Sequence, residues 1–134
     1  MKTLHSINLL HLQKAIKLGR KEIISWAKSE LVNKRVTVLK AELNGNISFS
    51  VSGIKEALNQ PHNHYHEKNQ AIINIVKLIE NSSYAGSAVD TKKKCVQFHY
   101  FKTIINGEDS FIVVKENYDI NFKFTFYSIV DRIK

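Results

Sequence analysis

Three of the chain's six histidines fall within five residues, in His62-Asn63-His64-Tyr65-His66. An imidazole moves a proton near neutral pH, so such a cluster offers an acid, a base or a phosphate contact. In an extended segment the three rings point to one side and could ligate Zn²⁺; on a helix His62 and His66 share a face. The only cysteine, Cys95, lies far away in sequence. We therefore expect neither a metal nor another cofactor. The same loop also reads as nothing more than the polar entrance to a helix.

A second group of candidates comes from strand alternation near the C-terminus. Val96, Phe98 and Tyr100 share one face of a strand, and Cys95, Gln97, His99, Phe101 and Thr103 share the other. In a later strand Phe122, Phe124 and Phe126 alternate with Lys123, Thr125 and Tyr127. The three phenylalanines are expected to close the core, each contributing about 1.5–3 kcal/mol by burial. The opposite face then carries Lys123, Thr125 and Tyr127, with His99 and Gln97 nearby. A cation and a hydroxyl hold a phosphate, an aromatic ring stacks on a base, and a histidine transfers a proton. A half-exposed antiparallel sheet with polar residues outward gives the same pattern without any chemistry.

The elements that must position these residues follow from periodicity. The first 33 residues read as helix, with Leu9, Leu12, Ile16, Ile23, Trp26, Ala27 and Leu31 at helical spacing and Gly19 as a weak point. Val36 and Val38 begin a hairpin whose turn is Asn44-Gly45-Asn46. Its second strand points Ile47, Phe49 and Val51 to the core. Ser52 is placed to cap a short helix through Leu58. Ala71, Ile72, Ile75, Val76 and Ile79 share a face of an amphipathic helix that ends at Asn81–Gly86. Strands follow over Lys94–Ile105, Phe111–Lys115 and Phe122–Val130, with a turn at Asn106-Gly107-Glu108-Asp109. The prediction is a single α+β domain over 1–134, with N-terminal helices packed on a C-terminal antiparallel meander. There is no glycine-rich phosphate loop and no βαβ alternation, so a nucleotide-binding Rossmann or P-loop reading is poor.

Composition bounds the function. Apolar content is 43% and charged content 24%, which is ordinary for a globular domain and argues against disorder. A lone cysteine forbids an internal disulfide and suits the cytoplasm. No apolar run approaches the roughly 18 residues of a membrane span, so a membrane is not an expected partner. The net charge is +8 and uneven: residues 1–40 hold nine Lys/Arg against two Asp/Glu, and 91–134 hold eight against five. A basic surface attracts nucleic acid, although a solvated helix face gives the same count.

Several short stretches stand in a familiar order: Ile47-Ser48-Phe49-Ser50, Gly53-Ile54-Lys55-Glu56-Ala57-Leu58, the long helix from Glu67, Phe98-His99-Tyr100-Phe101 and Tyr127-Ser128-Ile129-Val130-Asp131. The order resembles the barnase–EndoU–colicin–RelE-like nuclease domains, and more narrowly those of phage and mobile-element large polyvalent proteins. The resemblance covers residues 35–132; residues 1–33 match only its general plan of helices before the sheet. It implies a barnase/RelE-like fold and a metal-independent endoribonuclease, a toxin or effector of a phage or mobile element. In such an enzyme the RNA 2′-hydroxyl attacks the adjacent phosphate. It implies RNA as substrate, tRNA among the candidates, and an immunity or antitoxin protein as partner. By position, it casts His62, His66, His99 and Thr125 as catalytic and Lys55, Lys123 and Tyr127 as substrate-binding. Arginine is missing near these positions; Arg132 and Arg35 stand at the far ends. Lysine would then replace arginine without its bidentate geometry. That absence keeps open a non-catalytic RNA- or protein-binding module on the same fold.

Overall fold

The computed structural model describes residues 18–133. The expectations for Leu9, Leu12 and Ile16 lie outside that range. Helix α1, Arg20–Ala27, follows Gly19 as N-cap and runs into a π-helical turn, Lys28–Val32. Ile23, Ala27 and Leu31 recur every four residues and are buried as one stripe, which is what holds this helix to the domain.

The hairpin pairs β1, Val38–Lys40, with β2, Gly45–Ser48, in register Lys40↔Gly45. Its connection is a 3₁₀ turn, Ala41–Leu43, closed by Asn44 at φ 52°. Gly45 is therefore a strand residue rather than a turn residue. A Cβ there would stand 3.0 Å from the Phe124 ring, closer than an ordinary contact.

Helix α2 spans Val51–Asn59, and its N-cap is Ser50, not Ser52: the Ser50 Oγ accepts the Gly53 N–H at 3.0 Å. Next come α3, Tyr65–Ala71, a 3₁₀ turn, Ile72–Asn74, and α4, Ile75–Glu80. The single amphipathic helix expected here is thus interrupted. Its apolar face survives the break, with Ile72, Ile75 and Ile79 fully buried.

Four further strands complete the fold: β3, Ser83–Val89; β4, Gln97–Ile105; β5, Glu108–Glu116; and β6, Phe124–Val130. Strands β4, β5 and β6 form the expected antiparallel meander, and β3 adds an unexpected antiparallel strand at its edge. The six-stranded sheet has the order β1-β2-β6-β5-β4-β3, with β2 parallel to β6 through Ile47↔Phe124 and Ser48↔Thr125. The early hairpin thus extends the meander past its last strand. Strand β3, where the sequence predicts only the end of a helix, is small, polar and mostly exposed.

One face of the sheet packs on the helices through Phe101, Ile105, Ile112, Val114, Phe124, Phe126 and Ile129. Three expectations need correction. Phe122 precedes β6 and is 59% exposed, so it does not close the core. A β-bulge between Val113 and Val114 in the β5–β6 pairing shifts the alternation after Phe126, and Ile129 takes the next core position. His99 pairs with Val114, which pairs with Phe126, so His99 is on the core face and is 7% exposed.

Candidate functional site

The outer face carries Phe98 and Tyr100 from β4, Val113 and Lys115 from β5, and Thr125, Tyr127 and Ser128 from β6. Its registers are Phe98↔Lys115↔Thr125 and Tyr100↔Val113↔Ser128. The bulge turns Tyr127 outward beside Phe98, with ring centroids 5.4 Å apart, and Lys115 Nζ sits 5.7 Å from the Tyr127 ring. Burial pushes the Tyr127 phenol up, and the negative charge of Glu56 pushes it further. Its hydroxyl therefore stays protonated at neutral pH and can donate. Thr125 Oγ1 accepts Asn117 Nδ2 at 3.1 Å, which ties it to the β5–β6 connection.

The histidine loop meets this face at its edge. Buried Lys68 fixes the loop's start: its Nζ donates to the carbonyls of Ala57 and, at 2.8 Å, Gln60, at the C-terminal end of α2. Burial, with Arg20 adding, lowers the Lys68 pKa to about 8. His62 follows. Its Nδ1 accepts the His64 N–H at 2.8 Å, so its Nε2 carries the proton and donates to Ser110 Oγ at 2.9 Å. His64 spends its own ring on Asn106, at 3.0 Å, and Glu108, at 2.7 Å.

The chain returns to this loop after β6. Asp131 Oδ2 accepts the Asn63 N–H at 3.0 Å, and Arg132 Nε stands 3.6 Å from Asp131 Oδ1. Burial raises the Asp131 carboxyl, but the Asn63 N–H and the charges of His62 and Arg132 outweigh it and hold it below its ordinary value. A cavity of about 400 Å³ opens here between Gln60, His62, Asn63, Asp131 and Arg132. A second, of about 160 Å³, is lined by Gln60, Phe98, Tyr100, Tyr127 and Arg132. Gln60 and Arg132 line both, which makes one cleft with a polar end and an aromatic end. Glu56, one helical turn before Gln60 and hydrogen-bonded to it, lines neither cavity, but its charge reaches Tyr127 at the aromatic end.

The residues singled out from sequence fall in separate places. His62 borders the cleft, and Thr125 and Tyr127 share the outer face. Lys55 is exposed on α2, and Lys123 is exposed in the β5–β6 connection with its Nζ 5.5 Å from the Phe124 ring. His66 is exposed on α3 with its ring 6.2 Å from that of Tyr65. His99 belongs to the core face, where Tyr84 meets its Nδ1 at 2.9 Å and Glu116 its Nε2 at 2.7 Å. Burial raises the Glu116 carboxyl, and the hydrogen bonds from His99 and Gln97 more than reverse this.

Sequence reasoning missed Arg132, Glu56 and Gln60. None carries a spacing signal; Gln60 and Arg132 share the cleft because the histidine loop crosses the end of β6, and Glu56 joins them only through its bond to Gln60. Phe98 and Tyr100 did carry one, since their alternation already set them apart from Phe101.

Among the described residues no group of three or more His, Cys, Asp or Glu side chains is arranged to hold a metal. The rings of His62, His64 and His66 go instead to Ser110, to Asn106 and Glu108, and to the surface beside Tyr65. Nor, among those residues, is any helix long and apolar enough to cross a membrane. A family model described as large polyvalent protein-associated domain 3 matches residues 14–121. No curated protein and no solved structure matches the chain.

Proposed function

The chain belongs to the large polyvalent protein-associated domain 3 family, and on that premise we propose that it is a metal-independent endoribonuclease acting in the cleft between the histidine loop and the sheet's outer face. The observation that carries this reading is the place of Arg132. It lines both ends of the cleft, beside Tyr127 at one and His62 at the other. Its guanidinium is the bidentate phosphate ligand for which no lysine is an equal substitute.

The chemistry needs a base, an acid and a cation. The Glu56 carboxylate takes the proton of the RNA 2′-hydroxyl as that oxygen bonds to the adjacent phosphorus. The bond to the 5′-oxygen breaks, and the Tyr127 hydroxyl gives that oxygen its proton. The products are a 2′,3′-cyclic phosphate and a 5′-hydroxyl end. Arg132 balances the charge on the pentacoordinate phosphorus. His62 holds the loop that forms the polar wall, through its bonds to the His64 amide and to Ser110. In this reading the enzyme is a cytoplasmic toxin or effector of a phage or mobile element, with an immunity protein as its natural partner. Incubating tRNA and total RNA with the protein in EDTA tests it. Fragments ending in cyclic phosphate are expected, and intact RNA at high enzyme concentration would end the reading.

A second reading has its own support. Both ring nitrogens of His62 and of His99 are occupied within the protein. A domain that binds RNA on this face without cutting it needs neither histidine free.

A further inference from the structure

Beyond the aromatic end of the cleft lies a third cavity, of about 290 Å³, between the β3–β4 loop and the outer face. Lys92 and Lys94 of the loop, Lys115 of β5, Phe98 and Tyr127 line it together with Asp90. Asp90 offsets one of these three charges and leaves the recess net positive, but it forms no ion pair with a lysine. It is 9% exposed, and its carboxylate is spent on the backbone N–H groups of Lys92, Lys94 and Cys95 at 3.0, 2.9 and 3.1 Å. Those bonds fold the loop over the sheet. Among the described residues no carboxylate pairs with Lys92, Lys94 or Lys115. Three cations thus surround a recess floored by a half-buried pair of aromatic rings, and Tyr127 and Phe98 also line the cleft.

We propose that this cavity is a second nucleotide subsite, which holds the phosphate of the nucleotide flanking the scissile one on Lys92, Lys94 and Lys115 and stacks its base on Tyr127 and Phe98. Cations plus an aromatic platform are what an unpaired nucleotide requires, and a base within a duplex cannot reach such a platform. The subsite therefore selects single-stranded RNA that continues past the cleavage point. The inference rests on the ribonuclease reading of the adjoining cleft.

Binding is measured with a fluorescein-labelled hexauridylate carrying 2′-O-methyl riboses, which lacks the attacking hydroxyl and cannot be cut. The full chain is compared with a Lys92→Ala/Lys94→Ala/Lys115→Ala variant and with Lys77→Ala, an exposed charge control on α4. The triple variant is expected to bind about tenfold more weakly or worse, with a log–log salt slope shallower by about 0.7 for each phosphate that the missing lysines no longer neutralise. Lys77→Ala is expected to match the parent, and a duplex of the same length to bind more weakly than the single strand. Equal affinity of the triple variant and the parent, or equal affinity for duplex and single strand, overturns the subsite. Unmodified RNA is then tested for cleavage. Lysine-dependent binding without cleavage leaves the subsite standing and removes the ribonuclease reading. Cleavage with lysine-independent binding does the reverse.

Discussion

The backbone N–H of His64 donates to Nδ1 of His62 at 2.8 Å, and this bond fixes the state of the His62 ring. With Nδ1 as acceptor, Nε2 must carry the proton, and it is the donor to Ser110. Protonating the ring would put a second hydrogen against the His64 amide. Burial is the main force that lowers the His62 pKa below 6.5, with Lys68 and His64 adding and Asp131 and Glu108 opposing.

A pH dependence of stability follows. The folded ring binds its proton less readily than the unfolded one, whose value is 6.5. As pH falls below 6.5 the unfolded state takes up a proton that the folded state refuses, so stability drops on acidification. The contribution of this group is present above 6.5 and is lost toward the lower folded value. Urea melts between neutral pH and the onset of carboxylate titration should show this drop, and His62→Gln should flatten it. An unchanged slope in His62→Gln would assign the dependence elsewhere.

His62→Ala leaves the buried Ser110 hydroxyl without its partner, at a cost of about 1–3 kcal/mol. On the proposed roles, cleavage per folded molecule falls through the displaced loop while RNA affinity changes little. Thermal unfolding and binding to uncleavable RNA separate the two effects.

Gly53→Ala tests how α2 sits on the sheet. A Cβ at Gly53 would collide with the Phe126 carbonyl oxygen, which is backbone and cannot swing aside. Forcing the helix away should cost about 1–3 kcal/mol. A melting temperature equal to the parent's would contradict this packing.

Glu116→Ala tests the side of the sheet on which His99 lies. It strips buried His99 and Gln97 of a shared acceptor. The expected loss is about 1–3 kcal/mol of stability, with RNA affinity of the folded fraction unchanged. A variant that instead folds normally and loses RNA would put His99 back on the outer face.

The legible parts of the fold are those written in a single stretch of chain. Phe124 and Phe126 declare a core strand by alternation, Asn106-Gly107 declares a hairpin, and Ile72, Ile75 and Ile79 declare a buried helix face through a helix that breaks at Asn74. Relations between stretches are not legible. Alternation divides a strand into two sets but does not say which set faces the same way as its neighbour's, which is why it groups His99 with Thr125 and Tyr127. The bulge beside Val114 moves the parity after Phe126 without any glycine or proline to announce it. Strand β3 hides because an exposed edge of Ser83, Ala85, Gly86, Ser87 and Ala88 has little apolar pattern. Arg132 stands near the end of the chain, and only the crossing of the histidine loop over β6 brings it to the cleft.

In the proposed mechanism Arg132 is the phosphate ligand of that cleft. The most direct measurement is the rate at which the protein and its Arg132→Ala variant produce cyclic-phosphate ends from single-stranded RNA in EDTA. Arg132 is exposed, so the variant should fold. We expect cyclic-phosphate product from the parent and a rate lower by about 10²-fold or more in the variant, the effect typical of removing one group that stabilises transition-state charge. No such product from the parent, or equal rates from both proteins, would contradict that role.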